Sequence, residues 1–142
     1  TASVDARLLG VRLHYQNNVL RNWYINKMGT ETADADATVV EKSALVAAGS
    51  GIIHGIHSGV SSATAGAGLT VDVKINGTSI LSTLGIVADG ETSTDVGTST
   101  SHALTTDPTT FSKGDRISFE ISSFGGTGGK GLHTDLLMSW TQ

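Results

Sequence analysis

Apolar and polar residues alternate with period two along most of this chain, and the 3.6-residue period of a helix is hard to find over any useful length. Near the start, Leu9, Val11, Leu13 and Tyr15 alternate with Gly10, Arg12, His14 and Gln16. Residues 17–28, "NNVLRNWYINKM", fit either a strand or a short turn of helix, and "GTETADADA" (29–37) reads as a polar loop, with a helix start as the alternative. Strands are then expected within "TVVEKSALVA" (38–47) and "GIIHGIHSGV" (51–60). "SSATAGAG" (61–68) and "DGETSTDVGTST" (89–100) read as loops, "SHALTT" as a short strand, and "DPTTFSKGD" (107–115) as turn chemistry. "RISFEIS" places Ile117, Phe119 and Ile121 on one face. After the glycine loop "FGGTGGKG" (124–131), "LHTDLLMSW" aligns Leu132, Leu136, Met138 and Trp140, with Trp140 expected in the core.

The stretch "VDVKINGTSILST" (71–83) specifies a hairpin. Asn-Gly favours a two-residue type I′ turn, whose central residues both need positive φ. With Asn76 and Gly77 in the turn, Ile75 sits opposite Thr78, Val73 opposite Ile80, Val71 opposite Ser82 and Leu69 opposite Leu84. Thr70, Asp72, Lys74, Ser79 and Thr83 fall on the other side of the sheet. Leu81 joins them there, which makes it a candidate contact with another subunit or sheet.

About eight strands at short intervals, joined by Gly and Ser/Thr turns, predict an all-β protein. The preferred architecture is an antiparallel jelly-roll-like β-sandwich with an extended N-terminal arm. The arm spans residues 1–30 and the sandwich domain residues 31–142. No internal repeat points to a solenoid. The chain of 142 residues is long enough for one domain with a real core.

Charge divides the chain at the same place. Through Thr30, Arg7, Arg12, Arg21 and Lys27 stand against Asp5 alone, while acidic residues outnumber basic ones in the remainder. The net charge of −4 argues against nucleic acid as a partner for the whole chain. It leaves the basic arm suited to an acidic protein surface. The absence of cysteine excludes disulfides, thiolate metal sites and thiol catalysis, and fits synthesis in a reducing cytoplasm. No apolar run reaches the roughly 20 residues of a membrane-spanning helix, and the first residues lack the apolar core of a secretory signal. A membrane is therefore not an expected partner.

Candidate chemistry is thin. His54 and His57 form an H-x-x-H pair, but odd spacing on a strand sends them to opposite faces, away from a shared metal. His14, His102 and His133 stand alone in the sequence. No G-x-S-x-G elbow accompanies the many serines. "DGETSTD" lacks the spacing of a calcium loop, and "GGTGGKG" lacks that of a phosphate loop. No catalytic, cofactor-binding or metal-ligating residue is assigned, and the expectation is a non-enzyme without cofactors. Trp23 and Tyr24 in the arm are the better candidates for partner contact, because interfaces favour aromatic residues.

"VDVKINGTSIL", the acidic "DGET" loop, "GDRISFEIS" and "GKGLHTDLLMSW" together resemble a β-sandwich domain of tailed-bacteriophage virion proteins. The resemblance covers roughly residues 38–142 and rests on turns and core strands. It implies a structural role, typically as a homotrimer, with no catalytic residue to carry over. The leading expectation is a capsid decoration, or cement, protein made in the host cytoplasm and placed on the outer head surface, where it bridges subunits of the major capsid protein. Arg7, Arg12, Arg21, Trp23, Tyr24 and Leu81 are the expected contact residues. The alternative is a tail-fibre, baseplate or head-fibre module whose loops 61–68, 89–100 and 124–131 bind host-surface carbohydrate.

Overall fold

The computed structural model describes residues 21–27, 29–38 and 43–141. These residues form strands and connections, with no helix among them. In chain order the strands are β1 (Arg21–Lys27), β2 (Ser43–Val46), β3 (Gly51–Gly59), β4 (Thr64–Ala65), β5 (Leu69–Ile75), β6 (Thr78–Ser79) and β7 (Leu81–Thr83). They continue with β8 (Gly85–Val87), β9 (Ala103–Leu104), β10 (Thr109–Phe111), β11 (Arg116–Ser123), β12 (Thr127–Gly128) and β13 (His133–Trp140). One sheet has the order β1-β13-β3-β10 and a second the order β2-β11-β5-β6, with β8 also pairing with β5. Two small ribbons, β12-β4 and β7-β9, complete the pairing, and every pair is antiparallel.

The protein is therefore all-β, as the period-two pattern predicts. The ambiguous residues 17–28 resolve, where described, into strand β1. The alternation at residues 9–16 lies outside the described residues. Three turn or loop expectations miss strands: Thr109–Phe111, within "DPTTFSKGD", is a strand paired with Ile53–Gly51, with Phe111 buried, and the expected loops 61–68 and 124–131 hold the short strands β4 and β12, which pair with each other.

Alternation sorts the core. Val71 and Val73 of β5, Ile117, Phe119 and Ile121 of β11, Ile53 of β3 and Leu136 and Met138 of β13 all belong to one apolar cluster. Both large sheets thus contribute to the same core. Full burial of such side chains contributes roughly 1.5–3 kcal/mol each relative to exposure. Trp140 departs from expectation: it is 45% exposed and meets Phe111 edge-to-face at 5.6 Å, so it rims the core.

The Asn76–Gly77 turn forms as its chemistry dictates, with φ of 51° and 84°. Ile75 pairs with Thr78, and the Ile80 N–H donates to the Val73 carbonyl at 3.0 Å. Beyond that point the expected register is wrong. Val71 lies opposite Gly85 and Leu69 opposite Val87, a displacement of three residues. The chain leaves the edge of β5 after Ile80, forms β7 against β9, and returns as β8. Leu81 is accordingly not the outward-facing residue that uninterrupted alternation requires. It is only 9% exposed and belongs to the core cluster, as does its neighbour Ile80. A regular strand cannot bury two consecutive side chains on one face. Breaking the ladder here lets both leave water.

Candidate functional site

Of the six expected contact residues, Arg7 and Arg12 lie outside the described residues, and Leu81 is buried in the core cluster. Arg21, Trp23 and Tyr24 stand on β1, whose seven residues pair in unbroken register with β13: Arg21 with Ser139, Trp23 with Leu137, Tyr24 with Leu136. The last part of the basic segment is thus built into the sheet as its outermost strand among the described residues.

The histidines fall into two environments. On β3, a bulge overturns the parity argument that separates His54 from His57. Met138 pairs with Ile53 but Leu137 pairs with Gly55, which leaves His54 as the extra residue. Ile53 stays in the core, while His54 Nε2 meets Ser139 Oγ at 2.8 Å on the opposite, outward side. His57 lies outward too, between the inward Ile56 and Ser58, and its Nδ1 bonds the Asp95 carboxylate. The two rings therefore share a face, yet each is held by a different partner. Among the described residues, no three His, Asp or Glu side chains converge as metal ligands.

Asp95 anchors the loop 89–100 to β3. Burial pushes its carboxyl up, but hydrogen bonds from Ser101 and His57 outweigh this and hold it below the ordinary carboxylate value. Thr94 reinforces the attachment: its N–H donates to the Ser58 carbonyl at 2.9 Å, and its Oγ1 accepts from the Ser58 N–H at 3.2 Å.

His102 is the histidine whose place the sequence does not disclose. It sits between Gly85 of β8 and Ser58 of β3. The Gly85 N–H donates to His102 Nδ1 at 3.1 Å, and His102 Nε2 lies 2.8 Å from Ser58 Oγ. Ser58 Oγ in turn lies 2.8 Å from Thr134 Oγ1. Burial is the first cause of a histidine pKa lowered to about 4, so the ring is neutral at pH 7. Because Nδ1 accepts from the backbone, the proton of the neutral ring belongs on Nε2. Nε2 then donates to Ser58 Oγ, which also shares a hydrogen bond with the Thr134 hydroxyl. A serine nucleophile needs the reverse arrangement, with Nε2 accepting the serine proton. Ser58 is also fully buried. The pair has the outline of a hydrolytic dyad and the hydrogen-bond polarity of a structural one.

A third assembly lies on the outward side of β5 and β11. Asp72 and Glu120 are register partners, and both are buried. Lys74 bonds Glu120, lies 3.7 Å from Asp72, and has its ammonium pKa raised chiefly by the hydrogen bond to Glu120. Ser79 Oγ donates to the second Asp72 oxygen at 2.7 Å. One cation between two carboxylates makes this a cross-strand clamp.

The loops at one end of the molecule converge. β4 pairs with β12, joining loops 61–68 and 124–131. The Gly90 N–H donates to the Thr64 carbonyl at 2.9 Å, and the Gly66 N–H to Asp89 Oδ1 at 2.8 Å. The segment 29–38 closes against them through Ala35 N–H to the Gly128 carbonyl at 2.9 Å and Gly131 N–H to the Thr30 carbonyl at 2.8 Å. Asp34, Asp36 and Asp89 are exposed there, with Lys130 3.7 Å from Asp34. Phe124, the first residue of the loop 124–131, packs against the core.

No protein-family model matches the chain, and no curated protein is detectably similar to it.

Proposed function

We propose that this chain is a structural module of a tailed-phage virion, of the capsid-decoration class, working as a homotrimer that bridges subunits of the major capsid protein from the outer head surface. The two large sheets then serve as the leaves of a jelly-roll-like sandwich, a reading supported by their common core cluster. The observation that carries the proposal is the rooting of the basic arm. The segment up to Thr30 holds Arg7, Arg12, Arg21 and Lys27 against one acidic residue, and its last strand pairs with β13 over seven consecutive positions. A pull along that strand is shared by all its ladder bonds, so the arm can grip a neighbouring acidic surface and transmit load to the body. Function here is adhesive. Surface buried across capsomer junctions adds binding free energy that opposes expansion.

Removal of residues 1–20 tests this while leaving β1 in the sheet. Affinity for capsids stripped of the protein should drop roughly tenfold or more, and the affinity of the intact chain should weaken as salt rises. Undiminished binding by the truncated protein would exclude the arm as the capsid contact.

The convergence of the first residues of loop 89–100 with loops 61–68 and 124–131 favours a second reading, a fibre or baseplate module that binds host-surface carbohydrate. Retention on a glycan array, abolished by changing Asp89 and Lys130 and unaccompanied by capsid affinity, is the outcome that would select it.

A further inference from the structure

The Asn76–Gly77 turn joins the two residues whose sequence is most prone to spontaneous deamidation. An asparagine followed by glycine can lose its side-chain amide without any enzyme. The Gly77 nitrogen attacks Asn76 Cγ, the Cγ–Nδ2 bond breaks, ammonia leaves with the Gly77 proton, and a five-membered imide closes. Water then opens the imide at either carbonyl, leaving aspartate or isoaspartate. Glycine favours the attack because it has no side chain to shield its nitrogen. Here the site is open, with nothing within 4 Å of the place where a Gly77 side chain would stand.

The carboxamide itself is not open. Asn76 Nδ2 donates to Asp115 Oδ1 at 2.8 Å, and Asn76 Oδ1 accepts from the Arg116 N–H at 2.9 Å. The Asn76 N–H donates to the Arg116 carbonyl at 2.8 Å, which fixes the backbone from which the side chain projects. Asp115 is itself pinned by the Ser112 N–H at 2.7 Å. Both ends of the amide are therefore committed to the start of β11, and imide closure requires Cγ to swing toward Gly77. We propose that Asn76 is a conditional deamidation site, silent while its carboxamide is clasped and converted to aspartate or isoaspartate when the β5–β6 turn releases Asp115 and Arg116. The product cannot restore the clasp. It presents a carboxylate to Asp115 where an N–H donor stood, so each opening that ends in reaction is recorded permanently.

Peptide mass spectrometry of the full-length protein, held at mildly alkaline pH, tests the idea on the tryptic fragment beginning at Ile75. In the folded wild type, conversion should be roughly tenfold or more slower than in the urea-unfolded chain, since two hydrogen bonds must open first. Asp115→Ala should raise the folded-state rate severalfold. Asp115→Asn, which still offers an oxygen to Nδ2, should leave it close to wild type. If circular dichroism shows the alanine variant unfolded, hydrogen exchange at the Arg116 N–H of the wild type replaces it. Exchange and deamidation must then accelerate together in sub-denaturing urea. Equal rates in folded and unfolded wild type, an unchanged rate in folded Asp115→Ala, or exchange that rises without deamidation would each overturn the proposal.

Discussion

Acidification from pH 6.5 to pH 4 should remove about 3 kcal/mol of folding stability through His102 alone. The unfolded chain takes up a proton on this ring near 6.5, whereas the folded chain resists until about 4. Between those values the unfolded state binds more protons, so stability rises with pH. The contribution is fully present above 6.5, falls away across the window and is flat below it. The cause is structural. Protonated Nδ1 cannot accept from the Gly85 N–H, and a charged ring must sit where the neutral one is buried against Ser58. Asp95 acts in a separate window. Its folded value is depressed, so its contribution is lost only as pH falls below the ordinary carboxylate value of 3.8. Urea unfolding at successive pH values reads the slope directly. In His102→Asn, where the amide oxygen can accept from Gly85 but nothing titrates, the slope between 6.5 and 4 should largely vanish. A variant that keeps the full slope would assign the proton to another group.

How much of this was legible in the sequence depends on whether the determining contact was local. The Asn76–Gly77 turn and the inward set Ile117, Phe119 and Ile121 follow from adjacent residues, and both are found where the pattern puts them. The failures are places where a distant strand decides. Nothing near Ile80 announces that β8 will take over the edge of β5, so Leu81 reads as outward although it is buried. The bulge at His54 is defined only by the pairing with β13, and it reverses a parity argument that is sound for an unbroken strand. His102 lies in a polar tract with no local signal, and its partners Ser58 and Gly85 are 44 and 17 residues away. Leu132, Leu136 and Met138 bury as the spacing predicts, whereas Trp140 ends the strand at the core's margin. Alternation places Asp72 on the face opposite the core. The burial of Asp72 and Glu120 with Lys74 follows only once β5 and β11 are neighbours. The one available hint at the histidine site was Gly85 itself, since glycine within a strand often marks the close approach of another group.

Gly85→Ala should destabilise the protein by about 3–5 kcal/mol, because a methyl group there would occupy the position of the His102 ring. All three of the nearest atoms to that methyl belong to the imidazole, so the closest collision is with the His102 side chain. The backbone of β8 is held by pairing with β5, and Gly85 lies opposite the fully buried Val71. The ring must therefore move. Moving it breaks the bond from the Gly85 N–H and the one to Ser58 Oγ, and leaves the Ser58–Thr134 pair without its donor. Strain and lost hydrogen bonds therefore act together. Strong non-additivity between Gly85 and His102 is expected. His102→Ala removes the obstacle, so adding Gly85→Ala to it should cost at least about 1 kcal/mol less than adding Gly85→Ala to the wild type. The loss of stability between pH 6.5 and pH 4 should also shrink in Gly85→Ala, because a displaced ring is better solvated and titrates nearer its ordinary value. Denaturant unfolding of the two single variants and the double variant measures both quantities. Additive costs, with the acid slope retained in Gly85→Ala, would mean that the ring does not occupy the space beside Gly85.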